Sequence, residues 1–88
     1  MNWAVRIAED ARLFIESLPA KIRRQVARSI NQLESNPFHG DVKPLQGKEW
    51  KGYYRKRVGD YRIIFLVHHA ERLVDVAQVL VRSEKTYR

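Results

Sequence analysis

The sequence predicts an α+β domain of order β-α-α-β-β-β, with two helices packed on one face of a mostly antiparallel four-stranded sheet. Three observations predict it. Two stretches in the first half carry apolar residues at helical spacing, back to back across Pro19. The second half switches to extended, largely alternating segments. Gly59-Asp60 interrupts these segments as a two-residue hairpin turn would. Helices grouped together, then strands grouped together, read as a segregated α+β fold rather than alternating βα units.

The elements follow in order. Asn2–Ile7 alternates, with Trp3, Val5 and Ile7 on one side, and reads as a short strand. From Glu9 the period changes: Ala11, Phe14, Ile15 and Leu18 form one helical face. Glu9 and Asp10 suit the positive end of that helix. Pro19 closes it and is tolerated in the first turn of the next. Ile22, Val26, Ile30 and Leu33 stripe the second helix, whose other face carries Lys21, Arg23, Arg24 and Arg28. Asn36-Pro37 ends it, because a residue before proline avoids helical geometry. Residues 36–52 hold two prolines and three glycines and read mostly as loop. Tyr53–Val58 and Tyr61–His68 form the hairpin strands, and His69-Ala70-Glu71 a second turn. Leu73–Val81 is apolar on nearly both faces, as an interior strand would be.

The 88 residues read as a single domain, 1–88. There is no cysteine, which excludes disulfides and thiolate metal sites. No apolar run approaches the roughly 20 residues that span a membrane, and no signal peptide is evident, so a cytoplasmic protein with no membrane contact is expected. His39, His68 and His69 lack ligand spacing, and a solvated turn accounts for the last two. No Ser-His-Asp set or phosphate-cradling glycine loop stands out. No metal or cofactor is expected. Trp3 and Trp50 read as packing residues, with RNA platforms as the alternative.

The net charge of +7 favours an anionic partner, nucleic acid first and an acidic protein second. Residues 45–88 hold ten Lys/Arg against five Asp/Glu, so most of the excess sits in the sheet half. A two-residue turn at Gly59-Asp60 pairs Val58 with Tyr61, Arg57 with Arg62, and Arg55 with Ile64. Paired residues share a face, as do residues two apart. Arg55, Arg57 and Arg62 therefore project together, while Tyr61, Ile63, Phe65 and Val67 face the helices. Three like charges at close quarters repel, and an anion would relieve that cost. The alternative is an ordinary exposed face whose arginine stems cover apolar surface. In the last strand, simple alternation leaves Asp75 facing the core. A bulge would reset the register, so the face taken by Arg82 stays open. Lys85, Tyr87 and Arg88 place an aromatic beside cations, the combination used on single-stranded RNA. A frayed terminus is the alternative.

Leu45-Gln46-Gly47, the run from Tyr53 through Arg57-Val58-Gly59-Asp60-Tyr61-Arg62 to Phe65, and the close Val79–Arg88 resemble the RelE/ParE toxin superfamily. Leu18-Pro19 and Leu33-Glu34-Ser35-Asn36-Pro37 fit as well, so the resemblance covers essentially the whole chain. It implies the toxin of a type II toxin-antitoxin system, held by a small cognate antitoxin. One branch of the superfamily cleaves mRNA in the ribosomal A site; the other inhibits DNA gyrase without cutting RNA. For the cleaving branch the resemblance implies Arg55, Arg62, Arg82 and Tyr87 as catalytic residues. Lys48, Lys51, Lys56, Arg57, Lys85 and Arg88 complete the expected RNA-binding set. Two departures stand out: Val81 where many relatives place histidine, and Tyr53 where others carry lysine.

The implied reaction is metal-independent attack of a ribose 2′-hydroxyl on the adjacent phosphate, giving a 2′,3′-cyclic phosphate and a 5′-hydroxyl. Arg62, assisted by Arg55, would stabilise the charge gathering on the phosphoryl oxygens. Tyr87 would stack on a base, orient the 2′-hydroxyl or remove its proton. Arg82 would neutralise or protonate the leaving oxygen, and neutralisation suits the high pKa of a guanidinium. No side chain is an evident tuned acid or base. The ribosome is therefore expected to supply the alignment.

Overall fold

The computed structural model describes residues 2–81. The elements are β1 (Ala4–Ile7), α1 (Glu9–Glu16), α2 (Ala20–Ser35), β2 (Val42–Pro44), a 3-10 turn (Lys48–Trp50), β3 (Tyr53–Val58), β4 (Tyr61–His68) and β5 (Leu73–Val81). All five strands join one sheet in the order β1-β5-β4-β3-β2. Only β1 and β5 run parallel; the other pairs are antiparallel. The expected α+β class and the helix-helix-hairpin order hold. The sheet differs by one strand: β2 lies inside the stretch read as loop. Three residues ending in proline carry no periodic signal, and Pro44 is tolerated because β2 is an edge strand.

Both helices lie on one face. Ala11 and Leu18, with Val26, Ile30 and Leu33 of α2, form a single buried cluster with Val58, Ile63, Phe65, Val67, Val74, Val76 and Val79 of the sheet. Phe14, Ile15 and Ile22 border it. Pro19 supplies the extended residue between the helices, directly before Ala20. Arg12 is braced on the α1 surface by Glu9, one turn before it, and by Glu16, one turn after. Asn36 leaves the helical region, and its side-chain oxygen accepts the Phe38 N–H at 3.0 Å, which turns the chain toward β2.

The hairpin registers as the sequence requires: Val58 opposite Tyr61, Arg57 opposite Arg62, Arg55 opposite Ile64. Gly59 has φ +56°, a value that favours glycine at the first position of a II′ turn. On β5 the register shifts between Ile64 and Phe65: Ile64 pairs with Gln78 and Phe65 with Val76, so Ala77 is an extra, bulged residue. The bulge lets Val74, Val76 and Val79 all serve the core. It also turns Asp75 to the outer face, against the expectation of unbroken alternation. Among the described residues no helix is long and apolar enough to cross a membrane.

Candidate nucleic-acid interface

The face of the sheet away from the helices is organised by rows of cross-strand partners. Near the hairpin, Arg57, Arg62 and Leu80 lie side by side on β3, β4 and β5. The next row holds Lys43, Arg55, Ile64 and Gln78. A third holds Tyr53, Leu66, Asp75 and Arg6. Ile64 and Leu80 are buried although no helix covers this face. Their cross-strand neighbours Arg55 and Arg62 are themselves half-buried, and the Nε of Arg62 is fully buried, as an arginine's is when its stem lies along apolar surface. The face thus pairs arginine side chains with an apolar floor.

The structure brings Arg55, Arg57 and Arg62 together. It also adds two residues that sequence reasoning missed. Asp41 precedes β2; its Oδ1 lies 3.6 Å from Arg55 Nη1 and its Oδ2 3.6 Å from Arg57 Nη1. Both contacts are ion pairs too long to be hydrogen bonds. The Asp41 backbone is better fixed, because its carbonyl accepts the Arg57 N–H at 3.0 Å. Lys43, exposed on the edge strand, is the cross-strand partner of Arg55. Neither residue stands out in the sequence, because β2 carries no strand signal there. Recognising Val42-Lys43-Pro44 as an extended edge strand would have exposed them.

Lys56 requires a correction. It was expected to contact RNA, but it pairs with Ile63 on the helix face and is only 3% exposed. Its Nζ donates to the Ser29 carbonyl at 3.3 Å and to Gln32 Oε1 at 2.9 Å. Desolvation holds its pKa below the ordinary lysine value. The reason is the period of the strand: a cation between Arg55 and Arg57 must point the other way. Lys48 and Lys51 are exposed but lie at the opposite end of β3. The strand between them and Arg57, from Tyr53 onward, alone spans about 13 Å. Arg82, Lys85, Tyr87 and Arg88 lie outside the described residues.

A second polar cluster occupies the far end of the outer face. Arg6 donates to Asp75 through Nε at 2.5 Å and Nη2 at 2.9 Å. His68 Nε2 lies 2.7 Å from the same carboxylate. The Arg6 hydrogen bonds hold the Asp75 carboxyl below its usual range against the opposing effect of burial, with a lesser contribution from His68. His68 is therefore a half-buried strand residue engaged with a carboxylate, not a solvated turn. Nearby, Trp3 meets His69 edge-on at 6.0 Å and carries the Arg72 guanidinium 4.6 Å above its ring. Trp50 packs edge-on against Tyr53 at 5.1 Å. Both tryptophans are packing residues.

Residues 2–86 match the family model described as ParE toxin of type II toxin-antitoxin system, parDE. No curated protein matches the chain. Among solved structures, a chain of the RelBE2 toxin-antitoxin complex from Mycobacterium tuberculosis is 25% identical with a TM-score of 0.81, covering 93% of this chain and 100% of that one. A chain of the archaeal RelE-RelB complex from Pyrococcus horikoshii is 27% identical with a TM-score of 0.81, covering 97% and 100%. The isolated RelE toxin of E. coli shares the fold at 18% identity, with a TM-score of 0.76 over 97% of this chain and 89% of that one.

Proposed function

This chain belongs to the ParE toxin family of type II toxin-antitoxin systems, within the RelE/ParE superfamily, and from the arginines on its sheet and its likeness to RelE toxins we propose that it is a ribosome-dependent endoribonuclease that cleaves mRNA in the A site. One observation carries the reading: Arg55, Arg57 and Arg62 gather on the helix-free face of the sheet. Guanidinium groups held in place before the reaction are what a phosphoryl transition state needs. Arg62 stabilises the developing charge, and Arg55 assists. Arg82 and Tyr87 are assigned to the leaving oxygen and the 2′-hydroxyl through the family resemblance. The reaction needs no metal. The described face offers cations but no tuned general base, so the ribosome supplies the alignment of 2′-hydroxyl and leaving oxygen. Such alignment is worth about 7–11 kcal/mol in well-oriented reactions.

The inhibitor of this activity is a small cognate antitoxin. Solved neighbours are complexes of RelE with RelB, and a chain of net charge +7 suits an acidic partner. The site of action is the cytoplasm, where the ribosomes are.

Single-turnover cleavage of one message, naked and in a translating complex at equal toxin concentration, tests the proposal. Cleavage is expected in the translating complex and little on naked RNA. Comparable rates on both overturn ribosome dependence. No cleavage of either, with DNA gyrase inhibited, places the protein in the non-catalytic branch that the family model's name favours.

A further inference from the structure

We propose that Arg55, Arg57 and Lys43 form a subsite for an RNA backbone phosphate, and that the Asp41 carboxylate is a resident competitor which that phosphate displaces. The proposal rests on the RNA-cleaving reading only in taking the anion to be an RNA phosphate.

The geometry has three parts. First, one carboxylate faces two guanidinium groups, an oxygen to each, at 3.6 Å from Arg55 and 3.6 Å from Arg57. A phosphate offers the same pair of oxygens to the same fork. Second, the Asp41 contacts are ion pairs without hydrogen bonds. Leaving them breaks no directional bond, and water solvates the released carboxylate, which is already exposed. Third, the Asp41 backbone is pinned by the 3.0 Å bond from Arg57 N–H, one residue beyond Gly40 at φ +89°. The carboxylate stays beside its arginines by tether rather than by tight pairing. Lys43 extends the site sideways, being the edge-strand partner of Arg55 on the same face.

The consequence is discrimination. Two arginines held apart by a local carboxylate repel each other less in the free protein. A lone phosphate must compete with a tethered anion, so chance binding to bulk nucleic acid is reduced. A substrate held by several contacts at once overcomes that competition. Asp41 thus sets a threshold against non-specific RNA while leaving the arginines in place.

The experiment measures binding of a 2′-O-methyl RNA oligonucleotide, which cannot be cut, by fluorescence anisotropy across a salt series. Asp41→Asn is expected to bind about fivefold tighter at low salt, the range of an exposed ion pair. The gain should shrink as salt rises, because screening weakens the competition from Asp41 as it weakens any exposed ion pair. Asp41→Glu should behave as wild type. Glu71→Gln removes an equal charge from the turn before β5, at the other end of the sheet, and should change nothing. Equal affinities for wild type and Asp41→Asn overturn the proposal. So does an equal gain in Glu71→Gln, or no binding of the oligonucleotide by either protein. Tighter binding by Asp41→Asn without cleavage on the ribosome upholds the subsite and rejects the nuclease.

Discussion

On the helix face of β3 and β4, Val58, Ile63, Phe65 and Val67 are buried among helix side chains; on the other face, Arg55, Arg57 and Arg62 surround a smaller apolar patch of Ile64 and Leu80. The first face is a core, where loss of volume is felt at once. The second is a charged surface whose apolar floor keeps the arginine stems extended. The run Arg55-Lys56-Arg57 crosses between the two: its outer members meet Asp41, its middle member meets α2. Three consecutive cations are thus not one basic patch. The pleat sorts them, and only Arg55 and Arg57 share the outer face with Arg62.

The sharpest test of this division substitutes one residue on each face. Phe65→Ala, at a fully buried position, is expected to cost about 3–5 kcal/mol. In so small a domain that is a large share of the total stability, so the melting temperature falls and growth arrest is lost through unfolding. Arg62→Ala is expected to abolish growth arrest while costing far less stability than Phe65→Ala, because Arg62 is only half-buried and lies outside the core. Melting curves run beside a growth assay separate the two routes to inactivity. A folded Arg62→Ala protein that still arrests growth removes Arg62 from the proposed chemistry.

The division was largely legible in the sequence. The Gly59-Asp60 turn fixed three cross-strand pairs, and those pairs put Arg55, Arg57 and Arg62 on one side; the structure has the same pairs. The helix stripes needed only their 3.6-residue period. What escaped has physical reasons. β2 is three residues long with a proline, too short to show alternation, and with it went Asp41 and Lys43. The bulge at Ala77 shifts parity within an apolar run, where neither register leaves a polar residue conspicuous except Asp75. Arg6 is the partner that lets Asp75 take the outer face, and no local rule links positions 69 residues apart. Lys56 is a cation by composition, but the strand period assigns it to the helix face.

The Asp75 cluster sharpens the comparison at its far end, with a smaller effect. Its carboxyl sits below the ordinary range because Arg6 and His68 hydrogen-bond its charged form. A carboxyl lowered on folding adds stability that is fully present above the unfolded value of about 3.9 and is lost as pH falls through the folded value. Asp75→Asn is therefore expected to melt below wild type at pH 7, with the gap closing as the pH drops below about 4. The reduction at neutral pH should be modest, because Arg6 is largely exposed. Melting curves at both pH values check it. A gap that persists unchanged in acid means the side chain matters for packing and not for its charge.

The smallest effect is expected where the sequence misled most. Lys56 is buried against α2 with its ammonium on Ser29 and Gln32, and desolvation lowers its pKa. Methionine fills the same channel without the charge. Ser29 keeps its place as an acceptor in the helical ladder, and exposed Gln32 turns its amide to water. Neither polar partner is stranded, so Lys56→Met should change stability by no more than about 1 kcal/mol. It should also alter the alkaline response. A lysine whose pKa is lowered by folding makes wild type more stable as pH rises from the folded value to the unfolded one near about 10.4. The methionine variant lacks that gain. RNA affinity should be unaffected, whereas Arg57→Met, one residue along and on the other face, should weaken it and flatten its salt dependence. Anisotropy with the 2′-O-methyl oligonucleotide compares the two directly. If Lys56→Met weakened binding as much as Arg57→Met while melting as wild type does, the charge at position 56 would be reaching the RNA. The sorting of this strand into a core face and a chemical face would then fail.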